Sequence, residues 1–304
     1  YEITKEGNFE GSNILIEKKE INLNDDEKDN IKTVEQKLLQ LRQKRINPFF
    51  DDKTQTDLNS FWIYSILHSS LILDDKNIYD QAINYFNKLE KILKNNIFHC
   101  YDKNREEIDV FLEDYAYFSL LLVSIYEINK DKNSLKKCSE LLKQAWSFFY
   151  DEENNLLQKN IKNSNDLFIK PIDIIDNNIP NGNSIFLLVC NKIFNITEDN
   201  FWKDKIDTLK KSYHSSINSH YSQMFSYIKI LDICDQNITF TFNGDDKKLL
   251  DIRNKLLKKY FEKATFIYKE NNEENFILIC KNKTCSKKLK NLSEVENYLS
   301  EKSI

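Results

Sequence analysis

Residues 110–128 read VFLEDYAYFSLLLVSIYEI, and past the acidic pair Glu113-Asp114 a helix through them is apolar on nearly every side. A helix without a polar stripe is buried all round. Three more stretches share this character: 55–73 (QTDLNSFWIYSILHSSLIL), 184–196 (SIFLLVCNKIFNI) and 221–234 (YSQMFSYIKILDIC). Between them lie helices with a single apolar stripe at three-and-four spacing. In 78–95 the stripe runs through Tyr79, Ile83, Phe86 and Leu89, and in 133–150 through Leu135, Cys138, Leu142 and Phe149. In 200–214 it runs through Phe201, Trp202, Ile206, Leu209 and Tyr213. Stripes of this kind cover a core from one side.

Buried and amphipathic helices therefore alternate, joined by short turns such as Asp74-Asp75-Lys76 and Lys130-Asp131-Lys132. Short links make consecutive helices antiparallel. The architecture that puts every second helix inside is an α/α toroid, with hairpins standing around a central axis. A solenoid is disfavoured, because the buried helices start at uneven intervals. An amphipathic helix at 27–46 is expected as one more outer member. The resulting set of about four hairpins is too small for a six-hairpin ring. The chain opens on Tyr1 rather than Met, so a fragment is the expectation.

The last stretch changes character. Ile238–Phe242 alternates like a strand and is followed by Gly244, a helix at 246–260, strand-like runs at 264–269 and 275–280, and a helix at 293–302. The expected fold is mostly α: a partial, six-hairpin glycosidase-like toroid at 1–236 and a small α/β subdomain at 237–304. Gly244 after the first strand is a turn rather than a dinucleotide fingerprint, since no GxGxxG is present.

Net charge is −4 with both signs interspersed, which argues against nucleic acid as a partner. The lysines at 281, 283, 287, 288 and 290 read as a solvated loop. No apolar run reaches the ~18 residues of a membrane span. Of six cysteines, Cys138, Cys190 and Cys234 fall within apolar helical patterns. Buried free thiols in a reducing, cytoplasmic setting are expected. Cys280 and Cys285 lack the further ligands of a zinc site. With no GxSxG, HExxH or P-loop, neither a cofactor nor a metal is expected.

In a toroid the inner helices run the same way, so their amino-terminal ends converge on one mouth, rich in positive dipole and unpaired N–H groups. Polar residues are dense there. Asp51, Asp52, Asp57 and Asn59 open the first inner helix, and Asp109, Glu113 and Asp114 the second. Asn181, Gly182, Asn183 and Ser184 open the third, and His220, Ser222 and Gln223 the fourth. Capping explains one such group per helix, with Thr54 and Asp57 as a capping box and Asp109 and Asn181 as N-caps. The surplus is expected to line a pocket. Carboxylates on different inner helices suit acid–base work on a sugar, which makes Asp57 and Asp114 the candidate catalytic pair. Asp52, Asn59, Glu113, Tyr115, Gly182, Asn183, Ser184 and Gln223 are the candidate ligand-binding residues. His68 reads as buried and satisfied, His99 and His214 as helix-end residues, and His220 as the histidine placed to titrate at the mouth.

At these helix starts the chain resembles the thioredoxin-domain-containing YyaL family, whose animal members are called spermatogenesis-associated protein 20. The resemblance is carried by GNFEG from Gly7, DDKTQTDLNSF from Asp51, FLEDYA from Phe111, IPNGNS from Ile179 and ICKNKTC from Ile279, in family order. It implies a six-hairpin toroid similar to those of sugar-active enzymes, preceded by a thioredoxin-like domain that this chain lacks. There are departures. Asp57-Leu58-Asn59-Ser60 stands where the family usually reads Asp-Trp-Asn-Gly, Glu113-Asp114 where it reads Asp-Asp, and Asn181 where it reads Ser. The expected function is a carbohydrate-binding or carbohydrate-active pocket at the inner-helix mouth, with a small carbohydrate as ligand. The alternative is a non-catalytic interaction module that positions the thioredoxin-like domain on client proteins.

Overall fold

The computed structural model describes residues 1–304 except 18–21, 95, 102–109, 163–168, 245, 270–273 and 283. It divides into two units, Tyr1–Asp52 and Lys53–Ile304. In the first, the GNFEG segment is a tight turn in which Phe9 and Ser12 exchange backbone hydrogen bonds of 2.9 Å. The Asn8 side chain spans the turn to the carbonyls of Glu2 and Ile14. Helix α1 (Asp25–Gln43) starts in a capping box between Asn24 and Glu27. None of its residues is buried, and Val34, Leu38, Leu39 and Leu41 are exposed. The helix expected at 27–46 is present, and within its own unit most of its apolar residues are exposed.

The second unit opens with β1 (Thr54–Gln55) and α2 (Thr56–Leu73), then α3 (Lys76–Leu93), β2 (Cys100–Tyr101), α4 (Leu112–Asn129) and α5 (Lys132–Phe149). A small hairpin, β3 (Tyr150–Asp151) with β4 (Leu156–Leu157), leads to α6 (Gly182–Thr197), α7 (Asn200–His220) and α8 (Phe225–Gln236). Helices α2, α4, α6 and α8 pack in that order as an inner row, and α3, α5 and α7 each back the inner helix that precedes them.

One turn design closes all three hairpins. Each inner helix ends in a left-handed residue, Asp74, Lys130 or Glu198. An Asp follows at once: Asp75, Asp131 and Asp199 accept the amides of Asn77, Asn133 and Phe201 and so cap the next helix. The left-handed residue ends one helix and the carboxylate starts the next with no residue between.

Helix α4 is buried along almost its whole length and α6 from Gly182 to Ile193. The ends of the row differ. Leu58, Trp62, Ile72 and Leu73 of α2 and Phe225 and Ile228 of α8 are exposed. All-round burial therefore holds for the middle pair, which has row neighbours on both flanks, and is corrected for the two end helices.

The remaining elements are β5 (Ile238–Asn243), α9 (Lys247–Tyr260), β6 (Ala264–Lys269), β7 (Phe276–Lys281), β8 (Thr284–Cys285) and α10 (Leu292–Glu301). The sheet order is β6-β5-β7-β8, with β5 parallel to β6 across α9 and antiparallel to β7. Every residue of β5 is buried, as befits a central strand.

This sheet is joined to the carboxy-terminal half of the inner row. The rings of Tyr64 and His68 on α2 lie 5.8 and 5.5 Å from Phe261. His68 also pairs with Glu262 at 3.3 Å, so it is satisfied, as expected, but half-buried rather than buried. Deeper in, Lys192 of α6 donates to both oxygens of Glu127 of α4 at 2.9 and 3.0 Å and to the Ala264 carbonyl at 2.8 Å. The Phe266 amide donates to Glu127 at 3.1 Å. Both side chains are buried. The change of architecture at residue 237 thus falls inside one packed unit.

Among the cysteines, Cys138, Cys190 and Cys234 are free thiols, and Cys100, Cys138 and Cys190 are buried. Cys280 and Cys285 form a disulfide, which corrects the expectation of free thiols throughout. They are directly opposed partners of β7 and β8.

Candidate functional site

The mouth is assembled by backbone pairing. β1 and β2 pair antiparallel, the Thr56 amide donates to the His99 carbonyl at 2.9 Å, and the Thr56 hydroxyl donates to Phe98. The segment after α3 is thereby laid along the start of α2, and His99 is brought to Asp114. Its Nδ1 lies 3.1 Å from Asp114 Oδ1, and its Nε2 lies 3.3 Å from the Gln55 amide nitrogen.

Asp114 is fully buried and accepts three kinds of donor. Its Oδ2 takes the Phe111 amide at 2.8 Å, which caps α4; its Oδ1 takes the Asp57 amide at 3.2 Å, which caps α2; and His99 adds the third. Burial pushes the Asp114 carboxyl above its ordinary range against the pull of His99 and the Phe111 amide. The hydrogen bond that His99 donates to Asp114 in turn raises His99. The helix starts at Thr54–Asp57 differ from expectation: the N-cap of α2 is Gln55 with no side-chain cap. The capping box is corrected to a cap supplied by Asp114 from the neighbouring helix.

The adjacent Glu113 behaves differently. Its carboxyl lies against the start of α6, where a Cβ on Gly182 would stand 3.1 Å from Glu113 Cδ and Oε1. Glycine at that position makes the close approach possible. Glu113 Oε2 is enclosed and has no hydrogen-bond partner. Burial pushes its pKa to about 7, opposed by its own amide and by Lys159 and reinforced by Asp173 and Asp114. Lys159 reaches this place because its carbonyl accepts the Leu112 amide. Its ammonium binds Asp173 at 3.0 Å. Although burial works against the Lys159 charge, Asp173, Glu113 and Asp57 hold it above its ordinary range.

The remaining candidates divide by what they touch. Asn183 is a buried clamp on the preceding segment, accepting the Leu157 amide and donating to the carbonyls of Leu157 and Asp173. Asn181 caps α6 through the Ser184 amide, as expected. The Ser184 hydroxyl is buried beside the Tyr213 hydroxyl. Asn59 turns back to the Gln55 carbonyl at 2.7 Å. Tyr115 packs into the core against Phe148 and Phe149. Gln223 is exposed, and its carbonyl accepts the Asp176 amide. Asp52 is an exposed residue of the first unit, and Asp109 lies outside the described residues.

Two groups at the mouth escape sequence reading. Asp176 accepts the amides of Asn181 and Ser226 and so bridges the starts of α6 and α8. His99, read from sequence as a helix-end residue, is the histidine that the fold brings to the mouth, whereas His220 is the exposed last residue of α7. Asp176 and His99 lie in irregular segments, where no periodicity points to a face.

Ligand atoms of Asp57, His99 and Asp114 lie within 4.8 Å of one another, a donor set suited to a divalent cation. The oxygens of Asp114 and both nitrogens of His99 already have partners. A cation there would displace the His99–Asp114 hydrogen bond.

No family model matches the chain, and no curated protein sequence matches it. Among solved structures it is similar to cellobiose 2-epimerase from Bacillus thermoamylovorans, with 14% identity over 52% of this chain and 44% of that one, at a TM-score of 0.43. It is also similar to an inactive variant of an α-1,6-mannanase of Salegentibacter sp. in complex with α-1,6-mannotriose, with 12% identity over 62% and 55% of the two chains, at 0.43. The chain spans about half the length of these proteins. The likeness is one of helical arrangement.

Proposed function

We propose that the mouth shared by α2, α4 and α6 is a carbohydrate site in which Glu113 exchanges a proton with the ligand. The observation that carries this reading is Glu113 itself: an enclosed carboxyl with an unpartnered oxygen and a pKa of about 7. A carboxyl poised there can give a proton to a hydroxyl or glycosidic oxygen and take one back near neutral pH. Asp57, half-buried on the neighbouring helix, is the second carboxylate. Asp114 acts as a positioning residue, because its oxygens hold His99 and the starts of two helices. Ser184 and Asn59 are ligand-orienting candidates.

A thermal-shift screen with mono- and disaccharides and their phosphates tests the proposal, run on the chain and on Glu113→Gln and Asp57→Asn. A ligand at 100 times its Kd adds about 2.7 kcal/mol. A shift that disappears in both variants, with melting of the free proteins retained, supports the site. No shift with any sugar overturns it.

A second reading, a non-catalytic interaction module, is favoured by Asp114, Asp176, Asn181 and Asn183, whose polar atoms are engaged in caps and clamps. Membership of the YyaL family, with a thioredoxin-like domain as partner, is part of this proposal and rests on the five short segments. No described helix is long and apolar enough to cross a membrane. The cytoplasmic setting rests on the free thiols of Cys138, Cys190 and Cys234, and the Cys280–Cys285 disulfide runs against it.

A further inference from the structure

The Cys280–Cys285 disulfide lies at the β8 edge of the sheet, with Cys285 exposed and Cys280 half-buried. A structural staple would hold what nothing else holds, and here the hairpin is held independently. The Ser286 amide donates to the Ile279 carbonyl at 2.8 Å, and the Ile279 amide donates to the Ser286 hydroxyl at 3.1 Å. Ile277 and Leu289 exchange backbone hydrogen bonds of 2.8 and 3.0 Å. Ser286 and Leu289 are both buried. The bridged cysteines are five residues apart in sequence, so closing their loop removes less chain entropy than a longer loop would. The bond is therefore accessible and structurally redundant.

The other cysteines contrast with it. Cys138 and Cys190 are fully buried, and burial raises their thiols far above the ordinary range; Cys234 is pushed up to about 12. Such thiols are inert to exchange.

We infer that Cys280 and Cys285 form a reversible dithiol–disulfide couple that exchanges with an external protein dithiol. The attacking thiolate bonds to the exposed Sγ of Cys285, the Cys280–Cys285 bond breaks, and Cys280 leaves as a thiolate that takes up a proton. The partner's second thiol, deprotonated, then attacks its own sulfur in the mixed disulfide and releases Cys285, which is protonated in turn. Two electrons pass to the pair, and the partner dithiol is oxidised to a disulfide.

The test uses the whole chain in its native state, with a thioredoxin as the dithiol and a monothiol, glutathione, for comparison. Alkylation after exchange is read by peptide mass spectrometry. Cys280 and Cys285 are expected to gain label while Cys138 and Cys190 stay unlabelled, the cooperative melt is retained, and an oxidant restores the bridge. A thioredoxin lacking its resolving cysteine should be trapped on Cys285. A bridge that opens only when the protein unfolds overturns the inference, as does loss of the native melt on reduction. A Cys280→Ser/Cys285→Ser variant provides a separate check: it should melt within a few degrees of the parent, and failure to fold would show the bond to be a staple. Equal exchange with glutathione and no trapped thioredoxin would also overturn the protein-dithiol assignment.

Discussion

Glu113 and Asp114 are neighbours in sequence with opposite fates, decided by which way each side chain turns at the start of α4. Asp114 faces three donors and serves as the shared cap, whereas Glu113 lies against Gly182 with an enclosed oxygen that no donor reaches. The linkage follows in sign. The folded pKa of Glu113, about 7, lies above its ordinary 4.5, so the folded state binds more protons than the unfolded state between these values. Stability falls as pH rises through that window and is lowest above pH 7. Glu113→Gln is therefore expected to raise the melting temperature at pH 8, by roughly 1–3 kcal/mol of stability, and to leave it unchanged at pH 4. His99, raised by Asp114, adds to the same slope: its contribution is full below pH 6.5 and is lost as pH climbs through its folded value. Melting curves of the parent, Glu113→Gln and His99→Gln from pH 4 to pH 9 check both; a parent that gains stability from pH 5 to pH 8 contradicts the assignment. A smaller effect belongs to Gly182→Ala. Its new Cβ meets only the flexible end of Glu113, so the expected loss is under about 1 kcal/mol, with a displaced Glu113 titration.

At the scale of elements, the hairpin turn carries the most information per residue. Asp131 accepts the Asn133 amide and the Ser134 hydroxyl, and it follows Lys130 in a left-handed conformation. Asp131→Ala is expected to cost about 1 kcal/mol in chemical denaturation. Lys130→Gly relieves the left-handed residue and should stabilise by up to about 1 kcal/mol; a loss instead would mean that the Lys130 side chain matters, consistent with its place over the Tyr268 ring. These turns were legible in the sequence, because Asp-Asp-Lys and Lys-Asp-Lys interrupt apolar runs and their chemistry is local. The alternation of inner and outer helices was legible for the same reason, since a stripe or its absence is a property of one segment. The exposed flanks of α2 and α8 were not, because composition reports how apolar a helix is and not whether a neighbour covers it.

In the second unit as a whole, the Glu127–Lys192 pair is the node that fastens the sheet to the inner row. Neither residue drew notice in the sequence: each is a single charge in an apolar helix, and its partner lies 65 residues away. Breaking the pair leaves an uncompensated buried charge, so Glu127→Gln or Lys192→Met is expected to cost about 3–5 kcal/mol. Glu127→Gln combined with Lys192→Met should cost less than the sum of the single changes, and urea denaturation of the four proteins measures the difference; strict additivity would show that the two groups are not coupled. The candidate site divides in the same way. The sequence alone determined that the polar residues of the mouth sit at helix starts, because a helix must satisfy its first N–H groups and writes the capping residues beside them. It determined the helical class, the turns and the strands of the appendage, all of which depend on local periodicity. Only the tertiary structure decided that His99 meets Asp114, that Asp176 joins two helix starts, that Cys280 faces Cys285, and that Glu113 rather than Asp114 keeps an unpaired oxygen. Burial and charge pairing are properties of space, and residues far apart along the chain acquire them only when the helices are set side by side.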